Sequence, residues 1–460
     1  MKLNKSEKAN VNYLAKVVEI KDFTPHINPE VTRLKCAHVD GYTIIVGIDE
    51  QPGKFVYFPA SCTINPQFLS YANLYRHAEK NADAQKTGMF EDNGRVKAIR
   101  LKGQVSEGFL LPLQTLCNFV VDSTNIAFTE DDCKVGTEFD EVEHKGKSFW
   151  INKKYIVERH NGGGNAKGRY DKRVKLFDRT IEEQFKFHYD TVIVRRDPTA
   201  VSPEDTIQLT HKWHGTSAIF AYVLCKHPLT FREKVAKFLT GEQFNRYEYL
   251  YASRSVIKNS KIGGNKNGGG FYGEGNDVWG EAFKFIQPYL IKGMTIYAEI
   301  VGFLPNGGYI QKNYDYGCVA PAAGEAYTYG KHYKIMVYRI TLTNVDGVSH
   351  EFSTQEVQQW CKNNGLTPVI QCYYGKAKDL YPNLDVANHW NENFIEALAN
   401  DERFYMEKNS PDCVNKVPHE GLVIKKDDMI ARAWKLKCFA FLNKEQKELD
   451  AGEENIEDLA

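Results

Sequence analysis

The chain has 460 residues, more than one hydrophobic core usually serves, and its 59 basic residues balance its 59 acidic ones, so no global field draws it toward a polyanion. Apolar residues at 42% and charged residues at 26% are those of a globular protein. Neither a run of about 18 apolar residues nor a signal-peptide pattern opens the chain at MKLNKSEKANVNYL, which predicts a cytoplasmic protein of two or three domains. Its ten cysteines include no CxxC pair, so neither a zinc site nor a disulfide framework is signalled, and reduced, mostly buried thiols are expected.

From about Val11 to Val157 the sequence reads as short β segments: LAKVVEIKDF, TRLKCAHV, YTIIVGI, KFVYFP and RVKAIRLKGQVSEGFLLPL. Alternation and β-branched or aromatic enrichment predict a small barrel-like domain over 1–157, interrupted by a helical patch near FLSYANLYRHAEKNADAQ. The glycine-rich, basic stretch at 158–175 lacks apolar periodicity and reads as a linker. Beyond it, over 176–443, the runs TIQLT, SAIFAYVL, EYLYASRS, MTIYAEIVGF, YKIMVYRITL and EGLVIKKDD alternate irregularly with helical patterns. The helices are expected at 353–365, with Ser353 or Thr354 as N-cap and Gly365 as stop, and at 391–401. Helices that do not follow every strand predict an α+β fold with antiparallel sheets. Residues 444–460 are acidic and read as an exposed helix or tail. The local basic clusters KGRYDKRVK (167–175) and KIGGNKN (261–267) are the candidates for polyanion contact, though each taken alone reads first as a solvated loop.

The residues that carry chemistry are scattered. Lys212 stands in HKWHG between two apolar runs, with Gly215 allowing the backbone to come close to a ligand. A bare K-x-x-G says little, since KIGG, KNGG and KNNG also occur in polar segments. Glu299 sits in the middle of the apolar strand YAEIVGF, where a carboxylate is costly without a partner. Glu420 opens EGLVIK and Lys425 lies near its end. Lys435 and Lys437 in WKLK are two apart, so on a strand both ammonium groups face one side. Each of these alone reads as a satisfied ion pair or a solvated face.

Taken in order, KWHG, SRS, YAEIVG, MVYRI, EGLVIK and WKLK resemble motifs I, Ia, III, IIIa, IV and V of the covalent nucleotidyltransferases, and KWHGTS is similar to the K-x-H-G-T form of ATP-dependent RNA ligases. The amino-terminal VKAIRLKGQVSEGFLLPL and the closing KLKCFAFLNKEQKELDAGEENIE resemble the Deinococcus-type nick-sealing RNA ligases, which carry an OB-like domain ahead of the catalytic one.

The resemblance implies an N-terminal OB-like nucleic-acid-binding domain, a nucleotidyltransferase domain over 176–443, and an acidic tail over 444–460. It implies ATP with Mg²⁺ or Mn²⁺ as cofactors, RNA or an RNA-containing duplex as partner, and a monomer. Lys212 would attack the α-phosphate of ATP and carry AMP. Near its ordinary pKa of about 10.4 the amine is protonated at neutral pH, so nearby cations or desolvation must lower it. Lys435 and Lys437 are the expected sources and would stabilise charge on the phosphate. By the same resemblance Arg254 contacts phosphate, Glu299 the ribose and Tyr338 the adenine; Glu420 positions the metal ion and His214 assists transfer to RNA. DNA ligases and capping enzymes share these motifs but carry an OB domain after motif V, for which too few residues follow Lys437. An inactive nucleic-acid-binding relative is the remaining alternative. Two positions depart from the pattern. His211 stands where glutamate commonly precedes the lysine, and Arg339 follows Tyr338 where an acid is usual.

Overall fold

The protein is described here by a computed structural model covering residues 1–157, 179–241, 244–258, 272–273, 275–428 and 432–452. The expected linker at 158–175, both basic clusters and most of the glycine-rich stretch 263–276 lie outside the described residues.

The amino-terminal region is a set of small antiparallel sheets. Four strands run in the spatial order Phe109–Pro112, Gly53–Phe58, Ala15–Ile20 and Glu138–Phe139, and three more run Thr24–Pro25, Leu34–Val39 and Tyr42–Gly47. Strict alternation in Ala15–Ile20 explains its position between two cores. Ala15 and Val17 face a cluster with Phe58 and Phe68, and Val18 and Ile20 face another with Ile44 and Phe55. No closed barrel forms among the described residues; separate sheets of two to four strands stand where an OB-like barrel was expected. The expected helix near FLSYANLYRHAEKNADAQ is the short Pro66–Tyr71, capped by the Asn65 side chain. A longer one, Leu113–Thr124, follows the strand Phe109–Pro112 directly.

The remainder is α+β and almost wholly antiparallel. One sheet has the order Val192–Ile193, Arg432–Lys437, Gly421–Lys426, Thr206–His211, Gln371–Lys376. The other has the order Asn245–Ala252, Thr216–Lys226, Met294–Gly302, Tyr333–Thr343, Ser349–Glu351, with Thr367–Pro368 pairing in parallel beside Tyr333–Thr343. The helix Trp390–Asn400 packs Phe394 and Leu398 against the first sheet. Val278–Ile286 and Thr354–Asn363 cover the outer face of the second through Trp279 and Cys361. Thr354–Asn363 begins as its sequence predicts: Ser353 and Glu356 form a reciprocal capping box. The closing helix Phe439–Asp450 runs back to the amino-terminal region, where its Asp450 pairs with the buried Arg95. Arg196 makes a second tie, donating to the Leu14 carbonyl at 2.6 Å. Eight of the ten cysteines are buried, all ten are free thiols, and only Cys372 and Cys413 keep partial exposure. Among the described residues no helix is long and apolar enough to cross a membrane.

Candidate active site

Strand alternation builds the cleft between the two sheets. On Thr206–His211, Ile207 and Leu209 face the helix side with Phe394, whereas Gln208 and Thr210 face the cleft. Lys212, next in line, lies on the cleft side. Gln208 pairs with Lys425 and Val423 with Lys435, so the same alternation aligns Val423, Lys425, Ala433 and Lys435 into one wall. Their neighbours Leu422, Ile424, Trp434 and Leu436 pack on the opposite face.

The second sheet supplies the other wall through Ser217, Glu299, Tyr338 and Arg339. Tyr297 stands opposite Arg339 and Ala298 opposite Val337, which leaves Tyr338 as an inserted residue, a β-bulge. The insertion explains how two consecutive residues, Tyr338 and Arg339, both reach the cleft while Val337 and Ile340 both pack beneath the helices.

The turn between the sheets holds the candidate nucleophile. The Lys212 backbone N–H donates to the Gly421 carbonyl at 2.8 Å, extending the ladder by one rung. Its Nζ lies 2.6 Å from Glu420 Oε1. Glu420 is only 2% exposed, and His214 and Lys437 approach it at 3.6 and 3.8 Å. Lys437 also pairs with Glu445 at 3.0 Å. The Gly215 N–H donates to Glu299 Oε1 at 3.0 Å. Any side chain at 215 would place its Cβ 2.3 Å from the Ile300 carbonyl oxygen, so the turn requires glycine for close approach. The His214 ring is wedged edge-on between Tyr314 and Phe441, and Trp213 stacks on Tyr316 at 4.8 Å.

Positive charge gathers here in an orderly way. Arg254 pairs with Asp190. Arg339 is held by Glu351 through bonds of 2.9–3.0 Å, which outweigh burial and raise its pKa. Lys425 reaches the same carboxylate at 3.4 Å, yet burial first, and Arg339 beside it, lower its pKa. His188, its ring against Tyr338 and Tyr297, is pushed down to about 3, chiefly by burial and then by Arg339 and Arg254. It is neutral at physiological pH. Burial also raises the Tyr338 phenol, which stays protonated.

All eight residues to which the resemblance gives a role meet here, and Lys425 with them. Lys212, Arg254, Glu299, Tyr338 and Lys435 line one cavity, and Glu420 binds Lys212 while His214 and Lys437 flank that carboxylate. Arg254, Lys435 and Lys437 also line a second cavity, which opens toward the amino-terminal region and is bounded there by Tyr42, Tyr57 and Lys154. Arg339, ambiguous in sequence, lines the first cavity while bound to Glu351. His211 borders the first cavity as well, but its ring turns toward the opposite sheet face, where Nδ1 lies 2.8 Å from Asp412. Burial works against the charged His211 ring, but hydrogen bonds to Asp412 and Cys372 hold its pKa up at about 9. Sequence reasoning missed His188, Tyr189 and Thr191, which close the cavity from a loop; the cluster FHYDT within a polar stretch was the available signal. Glu420 and Glu299 are the carboxylates flanking the lysine turn and could hold a hard divalent ion, which prefers oxygen ligands and keeps much of its water.

Two antiparallel sheets thus face each other across a cleft, with a lysine at the turn joining them and the amines along one wall. Among solved structures the chain resembles Naegleria gruberi RNA ligase with PPi, at 15% identity and a TM-score of 0.52, over 95% of this chain and 99% of that one. It likewise resembles a variant of that ligase with AMP and Mn, at 16% identity and a TM-score of 0.51, over 94% and 98% of the two chains. The chain thus shares its fold with that ligase over nearly its whole length. No protein-family model and no curated protein sequence matches.

Proposed function

We propose that this protein is an ATP-dependent RNA ligase that joins a 3′-OH end to a 5′-phosphate end at nicks in a duplex. The observation that carries this reading is the convergence of Lys212, Arg254, Glu299, Tyr338 and Lys435 on one cavity from segments spread over more than 200 residues. The fold shared with Naegleria gruberi RNA ligase, whose solved structures include complexes with ATP and Mn, supports it.

In this reading Lys212 Nζ, once it has lost its proton, attacks the α-phosphorus of ATP. A P–N bond forms, the bond to the bridging oxygen breaks, and pyrophosphate leaves. Arg254, Lys425 and Lys435 bind the phosphate oxygens as charge shifts onto them, the main source of stabilisation in phosphoryl transfer. Tyr338 offers a flat face to adenine, and Glu299 accepts from a ribose hydroxyl. Magnesium or manganese, held through Glu420, would neutralise phosphate charge when bound. AMP then passes from Lys212 to a 5′-phosphate, with His214 assisting, and the neighbouring 3′-OH attacks that phosphate and releases AMP. The second cavity, bounded by both regions of the chain and reached by Arg254, Lys435 and Lys437, suits the polynucleotide. The amino-terminal sheets, which bound that cavity through Tyr42, Tyr57 and Lys154, then hold the duplex.

Incubation with α-labelled ATP and Mg²⁺, followed by a denaturing gel, tests the first step. A covalent label is expected on the wild type and none on Lys212→Ala; an unlabelled wild type overturns the reading. Sealing of all-RNA, all-DNA and mixed nicked duplexes then separates an RNA ligase from a DNA ligase.

A further inference from the structure

Behind the Lys212 wall, on the sheet face opposite the cleft, His211, Asp412 and His419 bring one nitrogen each from two imidazoles and one carboxylate oxygen within 4.8 Å of one another. We propose that these three residues bind a zinc-type divalent ion that ties the strand end bearing Lys212 to the loop bearing Glu420.

The site is built from two directions. His211 ends the strand Thr206–His211. Asp412 and His419 belong to a loop closed by Ser410 N–H donating to Val417 O at 2.8 Å and by a bridge between Asn409 and Pro418. The His419 N–H donates to Lys408 O at 2.9 Å, which fixes the backbone from which its ring projects. The side chains of His211 and Asp412 are 8% and 7% exposed. His419 is 1% exposed, and neither of its ring nitrogens makes a hydrogen bond of ordinary geometry among the described residues, the backbone groups of Phe404 and Tyr405 beside it being too poorly placed. An ion pair between His211 and Asp412 accounts for two members of the cluster but leaves this buried imidazole unsatisfied, whereas buried polar side chains are normally paired. A metal ion satisfies it.

The donor set selects the ion. Two imidazoles and one carboxylate suit zinc, whereas magnesium and manganese favour oxygen ligands. Tetrahedral zinc with bonds of about 2.0–2.1 Å sets ligand atoms roughly 3.4 Å apart, so the cluster needs shifts of about an ångström, with a fourth position left for water. His211 and His419 each directly precede a residue of the lysine–carboxylate contact. The ion would therefore fix the spacing of Lys212 and Glu420 from behind, without touching a nucleotide.

The experiment uses the untagged full-length chain, loaded with Zn²⁺ and dialysed against metal-free buffer containing millimolar Mg²⁺, with metal content read by mass spectrometry. Retention of roughly one zinc per chain is expected, and Co²⁺ in its place should give the visible absorption bands of a tetrahedral site. His419→Gln and Asp412→Asn should each weaken Co²⁺ binding at least tenfold, as loss of a ligand requires. A wild type that retains no zinc and shows no Co²⁺ bands overturns the proposal, and so does a folded His419→Gln that binds Co²⁺ unchanged. Should that variant not fold, the wild-type titration decides alone. None of these readouts involves ATP or RNA, so they stand apart from the ligase reading.

Discussion

The two walls of the cleft come from sheets of similar size, yet they carry different inventories. The wall ending in Thr206–His211, Gly421–Lys426 and Arg432–Lys437 offers amines, Lys212, Lys425 and Lys435. The wall from Thr216–Lys226, Met294–Gly302 and Tyr333–Thr343 offers a hydroxyl, a carboxylate and an aromatic ring, in Ser217, Glu299 and Tyr338. In the proposed reaction the amines would meet phosphate, and the hydroxyl, carboxylate and ring would meet the nucleoside. The division is not complete, because Arg339 reaches the cleft from the second wall and Arg254, just beyond that sheet's Asn245–Ala252 strand, adds a cation there; it teaches that the amines, though not every cation, are gathered on one sheet.

Substitutions on the two walls should therefore fail differently. The largest effect is expected for Lys212→Ala, where lysyl-AMP formation falls by about 10³-fold or more, read as covalent label per minute. In the proposed mechanism Lys435→Ala would remove a charge from the phosphate, and the rate of label formation at saturating ATP should drop on the order of 10²-fold with KM for ATP little changed. Gly215→Ala strikes the junction itself. A Cβ 2.3 Å from a backbone oxygen forces the walls apart, and a loss of about 2 kcal/mol in urea unfolding is expected. Tyr338→Ala, on the recognition wall, should raise KM for ATP up to about tenfold while leaving the maximal rate nearly intact. If Lys435→Ala and Tyr338→Ala alter KM and rate in the same proportion, the walls do not divide the work.

The smallest effect concerns pH. His188 packs against Tyr338, and its folded pKa, about 3, lies below the ordinary 6.5 of an unfolded histidine. Between those values the unfolded chain binds the extra proton, so the contribution of His188 to stability is present above pH 6.5 and is lost as pH falls toward 3. His188→Phe should flatten this part of the profile of unfolding free energy against pH; an unchanged slope would show that the ring is not kept neutral by the fold.

Much of this site was legible in the chain because its members sit on strands, where period-2 alternation converts spacing into facing. Lys435 and Lys437 in WKLK are the plainest instance, and the order of six short motifs carried the rest. Tyr338 and Arg339 show where that logic stops. Adjacent residues should face opposite ways, and only the pairing partners across the sheet reveal the bulge. His188 and Tyr189 come from a loop, which has no period to read. His211 stands one residue from Lys212, so its ring turns to the other face while the residue still borders the cavity. The amino-terminal strands were readable as strands, but barrel closure depends on which distant edges pair, and local sequence does not encode that. The helices Leu113–Thr124 and Val278–Ile286 escaped notice because the first directly continues a β-like run and the second, VWGEAFKFI, is only nine residues long, too short to display a period plainly.

The bulge at Tyr338 makes the Tyr333–Thr343 strand tolerant of shortening at that one position. Val337 and Ile340, three apart, share the face under the helices because one residue between them is extra. Remove Tyr338 and the two stand two apart in a regular strand, still on the dry face, with Arg339 alone looking into the cleft between them. A one-codon deletion there takes one ring from the wet face and leaves the core in register, whereas the same deletion at a regular position of the strand inverts the chain beyond it. Lineages of this fold should thus lose a residue here more readily than elsewhere on the strand.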